Sequence, residues 1–472
     1  MVFNSIPFLF FCIFFFALWS FMNRKSNRRY AFLVVMSFIF YGWWDWRFLF
    51  LITGSGLIDY FTALAIVSRP KSKKVFLWTS LIGNLGSLAF FKYYILIAST
   101  ADYFLGWMGI QSDLAKSTPG ISLTGVVGIS FYTFQSMSYT IDVYRGRLQP
   151  TRNLMHFFAY LAMFPQLVAG PIVRARDMLI QLTQQRIASD LQKWNGIKLF
   201  VFGLFQKTVL ADNIGAMVNR AYSEGNTENG TFFWWLVLVG FAFQIYCDFS
   251  GYSLMARGLA KFMGYHLKMN FNHPYLSGSF RSFWSRWHIS LSTWFRDYVY
   301  IPLGGSKKGI VKGIFFMTIT MVVSGLWHGA WYTFLCWGLL HAVYLAIERL
   351  TKWPAHLKKL PLGKLLATLI VFVLVTLAWN FFRSATFEQS LTIFRRLFGF
   401  IPSGEFGLVH FNALFFLVLA VIIECFYALY RYSAPVKSWY KSRDLDIGMT
   451  TIAFVLSLFF RGPAAEFIYF QF

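Results

Sequence analysis

Apolar runs of roughly 20 residues recur from one end of the chain to the other, separated by short polar links, and nothing else in the sequence constrains the fold as much. A hydrocarbon core about 30 Å thick takes about 20 residues of helix to cross. Runs of this kind lie near 30–51, 56–67, 122–142, 196–212, 231–250, 312–327, 330–347, 365–382, 409–430 and 447–460. The period-two alternation of a membrane β-barrel is missing from them. With 57% hydrophobic and only 13% charged residues, a soluble globular domain is excluded. The expected fold class is an all-α polytopic membrane protein, and with no linker, repeat or low-complexity tract in view, residues 1–472 read as one membrane domain.

The net charge of +24 sits in the links and not along an exposed helix or tail, which argues for cytoplasmic loops and against a nucleic-acid partner. Arg24, Lys25, Arg28 and Arg29 mark one inside loop; Arg69, Lys71, Lys73 and Lys74 mark a second. The link at 99–121, with Asp102, Asp113 and Lys116, alternates to the outside; Arg145, Arg147 and Arg152 return inside, and Lys352, Lys358, Lys359 and Lys364 mark a later inside loop. The first apolar run precedes its basic cluster and lacks a small-residue cleavage site, so it reads as a span with the N-terminus outside. Continuing the alternation leaves the C-terminus outside as well. Cys12, Cys247, Cys336 and Cys425 fall inside apolar segments and read as buried small hydrophobes; no spacing suggests a metal site. Two stretches, 154–172 and 286–301, are interrupted by Pro165, Gly170 and Pro171 and by Arg286, Arg296 and Asp297, and read as re-entrant or tilted helices shielded by protein.

Ionisable residues within such runs point to function. His288 and Ser292, at i and i+4, would share one face of a helix that Pro302, Gly304 and Gly305 end. Around them Trp284, Trp287 and Trp294 alternate with Arg281, Arg286 and Arg296, a composition that suits an interfacial belt or a phosphate-bearing cofactor. His328 interrupts the run 321–342 between Gly325 and Gly329, which would leave room for a substrate beside the ring. A neutral imidazole accepts a proton at one nitrogen and donates from the other, as a general base acting on a hydroxyl must. On a continuous helix His341 would lie roughly 20 Å further along and more than half a turn away, outside that site. Asp248, beside Tyr246, Ser250 and Tyr252, would orient an imidazole, bind a polar acceptor, or anchor its helix to Arg257.

FPQLVAGPIVR (164–174), YCDFSGYS (246–253), NFNHPYLSGSFRSFWSRWHISLSTWFRDYVYIPLGG (270–305), SGLWHGAWYTFLCWGLLH (324–341) and WNFFRSATFEQS (379–390) together resemble the membrane-bound O-acyltransferase family, in its alginate and peptidoglycan O-acetylating branch. The resemblance implies about eleven spans plus re-entrant helices around a thinned centre, with funnels meeting at the histidine of the WHG motif, here His328. It makes His288 the second catalytic histidine. It also implies no permanently bound cofactor, a cytosolic acyl thioester such as acetyl-CoA as donor with Arg281, Arg286, Trp287 and Arg296 as candidate contacts, and Asp248, Tyr246, Trp327 and Ser292 as candidate substrate contacts. A basic rim from Lys261 to Lys312 would hold the donor's phosphates. The ending FIYFQF (467–472) resembles the acyl-carrying motif of a small partner protein in teichoic-acid D-alanylation, which makes Tyr469 a candidate acyl carrier; read from composition alone, it is an aromatic interfacial anchor.

The resemblance further implies a bacterial inner-membrane location, contact with membrane lipid, a periplasmic or secreted acetyltransferase partner of the SGNH-hydrolase type, and a polysaccharide reached indirectly. Alginate-like, peptidoglycan and other glycans remain open as acceptors, and a long-chain lipid acyltransferase stays within the same fold. A transporter or flippase is the rival from another class, opposed by the lack of an inverted repeat.

Overall fold

The computed structural model describes residues 1–116, 126, 128–223, 229–404, 406–432 and 443–468, and shows helices and no strand among the described residues. Seven of the described helices are long and apolar enough to cross a membrane, and Ile6–Met22 is a shorter apolar helix, so the all-α polytopic reading holds. Contacts divide the chain into two compact units, Met1–Ile197 with Ala256–Lys268, and Lys198–Met255 with Met269–Phe472.

The first unit holds α1 (Ile6–Met22), α2 (Ser26–Gly42), α3 (Phe48–Ser68), α4 (Lys73–Trp107), α5 (Ile129–Tyr144), the short pair α6 (Leu154–Leu161) and α7 (Phe164–Leu167), and α8 (Ala175–Thr183). α1 shows why apolar content alone does not reveal its packing. Ser5 caps it by accepting the Phe8 N–H at 3.3 Å. One face, Phe8, Phe11, Phe15 and Trp19, is buried, while Leu9, Phe10, Ile13 and Phe14 on the other are exposed. A helix apolar all round faces protein on one side and lipid on the other. Between apolar faces in lipid the drive to associate is packing rather than release of water. Here Phe164 supplies it, with its ring 5.0 to 5.6 Å from those of Phe11, Phe15 and Phe40.

The break between α6 and α7 is where a re-entrant stretch was expected. Its freed backbone is satisfied internally: Gln166 and Gln135 both donate to the Tyr160 carbonyl, at 2.6 and 3.0 Å. Broken helix inside apolar surroundings needs such donors and acceptors. Asp59 on α3 is fully buried and accepts from Ser80, Asn84, Ser136 and Thr140 on α4 and α5. A carboxylate enclosed in this way tethers three helices.

α9 (Asp190–Phe205) leads through a π-helical turn, Gln206–Ala211, into α10 (Asp212–Ser223) and then α11 (Thr231–Phe262). The second unit continues with α12 (Phe280–Trp284), α13 (Ile289–Phe295), a second π-helical turn at Arg296–Tyr300, α14 (Ile301–Leu303), α15 (Ile310–His328), α16 (Tyr332–Thr351), α17 (Trp353–Leu357), α18 (Gly363–Arg383), α19 (Phe387–Phe398), α20 (Leu408–Tyr432) and α21 (Arg443–Phe459). α15 and α16 form a tight hairpin. A Cβ on Gly325 would stand 2.2 Å from the Phe334 carbonyl oxygen, and one on Gly338 would stand 2.5 Å from that of Met321. One expectation about the cysteines fails. Only Cys247 is buried, and Cys425 on α20 is exposed, because an apolar residue on a lipid-facing helix has no need of protein cover.

Candidate active site

His328 is the last residue of α15. Its ring is buried among Trp327, Trp337 and Phe382, at centroid distances of 4.9, 5.1 and 5.3 Å, each edge-to-face. The ring of His288 stands 6.4 Å away and packs against Phe249 at 4.6 Å and Trp327 at 5.8 Å. The two histidines lie 40 residues apart in sequence and share one buried aromatic cage. Trp327, a candidate substrate contact, is the ring between them.

His288 is not on a helical face with Ser292, as the spacing suggests. It is the residue that precedes α13, with φ 40° and ψ 56°, and its carbonyl accepts the Ser292 N–H at 2.9 Å. A non-glycine residue in this left-handed region persists only when its surroundings dictate it. Asn270 does so. Its carbonyl accepts the Ile289 N–H at 2.9 Å, and its side-chain oxygen accepts the Ser290 N–H at 3.1 Å and the Ser290 hydroxyl at 2.7 Å. Sequence reasoning missed Asn270, although NFNHP lay within a quoted motif.

Gly325 and Gly329 also act differently from expectation. They admit Phe334 and not a substrate: a Cβ on Gly329 would sit 2.0 Å from the Phe334 ring. The continuous helix assumed for His341 does not exist either. The chain reverses after His328, so His341 packs on the same Trp337 indole, at 4.9 Å, that His328 meets at 5.1 Å. Its ring also lies parallel to that of Phe283, 6.1 Å away.

A cavity of about 660 Å³ opens beside this cage. Arg281, Arg296 and Lys352 at its margin are exposed and Arg349 is half-buried, whereas Thr320 and Ser324 are buried. Ser324 is one helical turn before His328, about 6 Å along α15. The cations thus belong to the exposed part of the lining, and Thr320 and Ser324 to its buried part. Glu348 shapes it by accepting the backbone N–H groups of Phe280 and Arg281 at the start of α12. Ser292, Arg281 and Arg296 line the cavity. Arg286 does not line it, nor do the rim residues Lys261 and Lys312. Trp287 is fully buried and packs on Phe283 and Trp379, since an indole amid apolar rings gains more from packing than from exposure. Arg349 and Lys352 were missed because their spacing is that of an ordinary basic helix end.

Asp248 and Tyr246 are committed to protein partners. Asp248 pairs with Lys207 at 2.8 Å and accepts the Ile468 N–H at 2.7 Å, whereas Arg257, the partner expected for it, donates to the Leu267 carbonyl. Tyr246 donates to Glu424 at 3.1 Å. Tyr469 lies outside the described residues.

The description "MBOAT, membrane-bound O-acyltransferase family" matches residues 144–353. Probable alginate O-acetylase AlgI of Pseudomonas aeruginosa is 35% identical over 93% of this chain and 84% of its own length. Peptidoglycan O-acetyltransferase of Helicobacter pylori is 33% identical over 78% of this chain and 73% of its own. Teichoic acid D-alanyltransferase of Bacillus subtilis is 30% identical over 62% and 78%. The stretch that matches the family contains both histidines, Asn270 and every residue of the cavity, and the identity to relatives extends well beyond it. The chain belongs to the membrane-bound O-acyltransferase family and is an O-acyltransferase.

Proposed function

We propose that the protein moves an acetyl group from a cytosolic thioester, acetyl-CoA being the first choice, across the inner membrane for O-acetylation of an extracytoplasmic polysaccharide. The observation that carries this reading is the pair His288 and His328, caged by aromatic rings one helical turn from a cavity whose margin is cationic. Cations at the margin suit the phosphates of a coenzyme A donor, and an acyl-pantetheine arm would reach inward toward the imidazoles.

In the first step His328 takes the phenolic proton of Tyr469 as the phenol oxygen attacks the thioester carbonyl. The carbon–sulfur bond breaks, the thiolate leaves with the proton from His328, and the acetyl group rests on Tyr469 as an ester. His288 would orient the carbonyl or the His328 ring. A partner of the SGNH-hydrolase type on the far side then passes the acetyl group to a sugar hydroxyl. This orientation has both ends of the chain outside. An alginate-like polymer is the first acceptor to test, since the alginate O-acetylase relative matches more of this chain, 93%, than the peptidoglycan enzyme does, 78%.

Purified protein in detergent, given radiolabelled acetyl-CoA, should acquire label on Tyr469, mapped by peptide mass spectrometry. That label should vanish in His328→Ala and in Tyr469→Phe. Label persisting in Tyr469→Phe discards the tyrosine ester while keeping the enzyme; no binding or turnover in wild type and His328→Ala alike discards the thioester reading.

A further inference from the structure

The chemistry above leaves one buried ionic group without a role. Lys207, Asp212 and Asp248 are all buried, with the Lys207 ammonium 2.6 Å from Asp212 and 2.8 Å from Asp248. Burying three charges is costly, and such a group is weak evidence for stability; its best-attested use is to fix register. These charges also bind backbone. Lys207 donates to the Ala465 carbonyl at 3.2 Å, and Asp248 accepts the Ile468 N–H at 2.7 Å. A cation that reads a carbonyl and an anion that reads an N–H three residues later accept one alignment of the segment. A slip of one residue would offer each of them a different backbone group.

The π-helical turn that carries Lys207 and the first turn of α10 bind the same segment at its other end. The Thr208 carbonyl accepts the Gly462 N–H at 2.8 Å, and Asn213 donates to the Phe460 carbonyl at 2.9 Å. Gly462 is required there, because a Cβ would lie 2.6 Å from the Asn213 nitrogen and 2.7 Å from the Asp212 carbonyl carbon. At the far end the Phe467 ring packs on Tyr252 at 4.9 Å and on Phe249 at 5.7 Å. Phe249 is the ring that touches His288.

We propose that Lys207, Asp212 and Asp248 form a register clamp that holds Phe460–Ile468 in one alignment, with Phe467 against the Phe249 ring that touches His288. Lys207 and Asp248 are positioning residues. The clamp rests on the reading of Tyr469 as acyl carrier for its purpose, but not for its existence.

Hydrogen exchange and donor-binding measurements on the full-length protein test the two separately. Asp248→Ala should raise exchange at Gly462–Ile468 by about tenfold or more, while the remaining helices keep wild-type protection. The rate of acetyl labelling should fall by a similar factor, with the dissociation constant for acetyl-CoA unchanged. Asp248→Asn, which keeps an acceptor for the Ile468 N–H, should recover part of the rate. Gly462→Ala, which leaves every charge in place but forces the segment off the turn, should reproduce the loss. It decides the matter if Asp248→Ala loosens the whole unit. Unchanged exchange at 462–468 in both variants overturns the clamp; raised exchange with a wild-type labelling rate overturns the positioning role of Lys207 and Asp248. If wild type carries no label on Tyr469 while the exchange pattern appears as expected, the carrier reading fails and the clamp stands as a structural device.

Discussion

At the scale of single residues the candidate site brings together two imidazoles held by unlike means. His328 ends a helix and is fixed by ring packing, so its removal should take away chemistry and little else. His328→Ala should lower acetyl transfer by about 10² to 10⁴, the range of general-base catalysis, with donor affinity kept. His288 is fixed through its backbone, and the group that fixes it is Asn270. Asn270→Ala deletes the acceptor for two donors from Ser290 and frees a conformation of His288 that costs about 1–3 kcal/mol to hold. It should therefore slow transfer by about tenfold or more with His288 itself intact, measured as a lower rate at unchanged donor affinity. Both histidines were singled out from the sequence, since a titratable group within an apolar run stands out. Asn270 was not. Its contact is to backbone 19 and 20 residues on, and no spacing rule encodes such a bond.

Among the helices, the spans were legible and their contacts were not. The runs expected at 312–327 and 330–347 are α15 and α16, with boundaries within about four residues. The reversal between them, which brings His341 onto Trp337, rests on glycines whose purpose only the packing reveals. Gly325→Ala or Gly338→Ala would drive a Cβ into a facing carbonyl oxygen, so the helices must part. Either should cost about 3 kcal/mol and lower the thermal midpoint of the purified protein, since overpacking at a backbone contact has no flexible side chain to relieve it. The tether in the first unit offers the opposite case. Asp59→Ala would strip the acceptor from four buried donors at once, and should destabilise by about 3 kcal/mol or more. Asp59→Asn, which keeps one acceptor oxygen, should lose less in the same unfolding measurement.

Over the whole molecule, the division into two compact units had no counterpart in composition, because two of its boundaries fall inside the continuous helices α9 and α11. Charge was more informative. An excess of +24 was read as topology, yet four of those cations, Arg281, Arg296, Arg349 and Lys352, line one cavity. They differ in exposure. Arg296 is exposed and already bonded to Asp297 at 2.8 Å, which weakens its hold on a ligand. Arg349 is half-buried, and its guanidinium lies across the space left by Gly313, so it would meet a donor phosphate with less screening by salt. Arg349→Ala should therefore weaken acetyl-CoA binding by about tenfold, a charge-assisted hydrogen bond being worth roughly 1.5 kcal/mol or more, while Arg296→Ala changes it by less than about threefold. Acetyl-pantetheine, which lacks the nucleotide and its phosphates, supplies the control: its affinity should be the same for wild type and Arg349→Ala. An equal loss with both donors would mean that Arg349 shapes the cavity for the acyl arm, and the phosphates would have to be held by other residues.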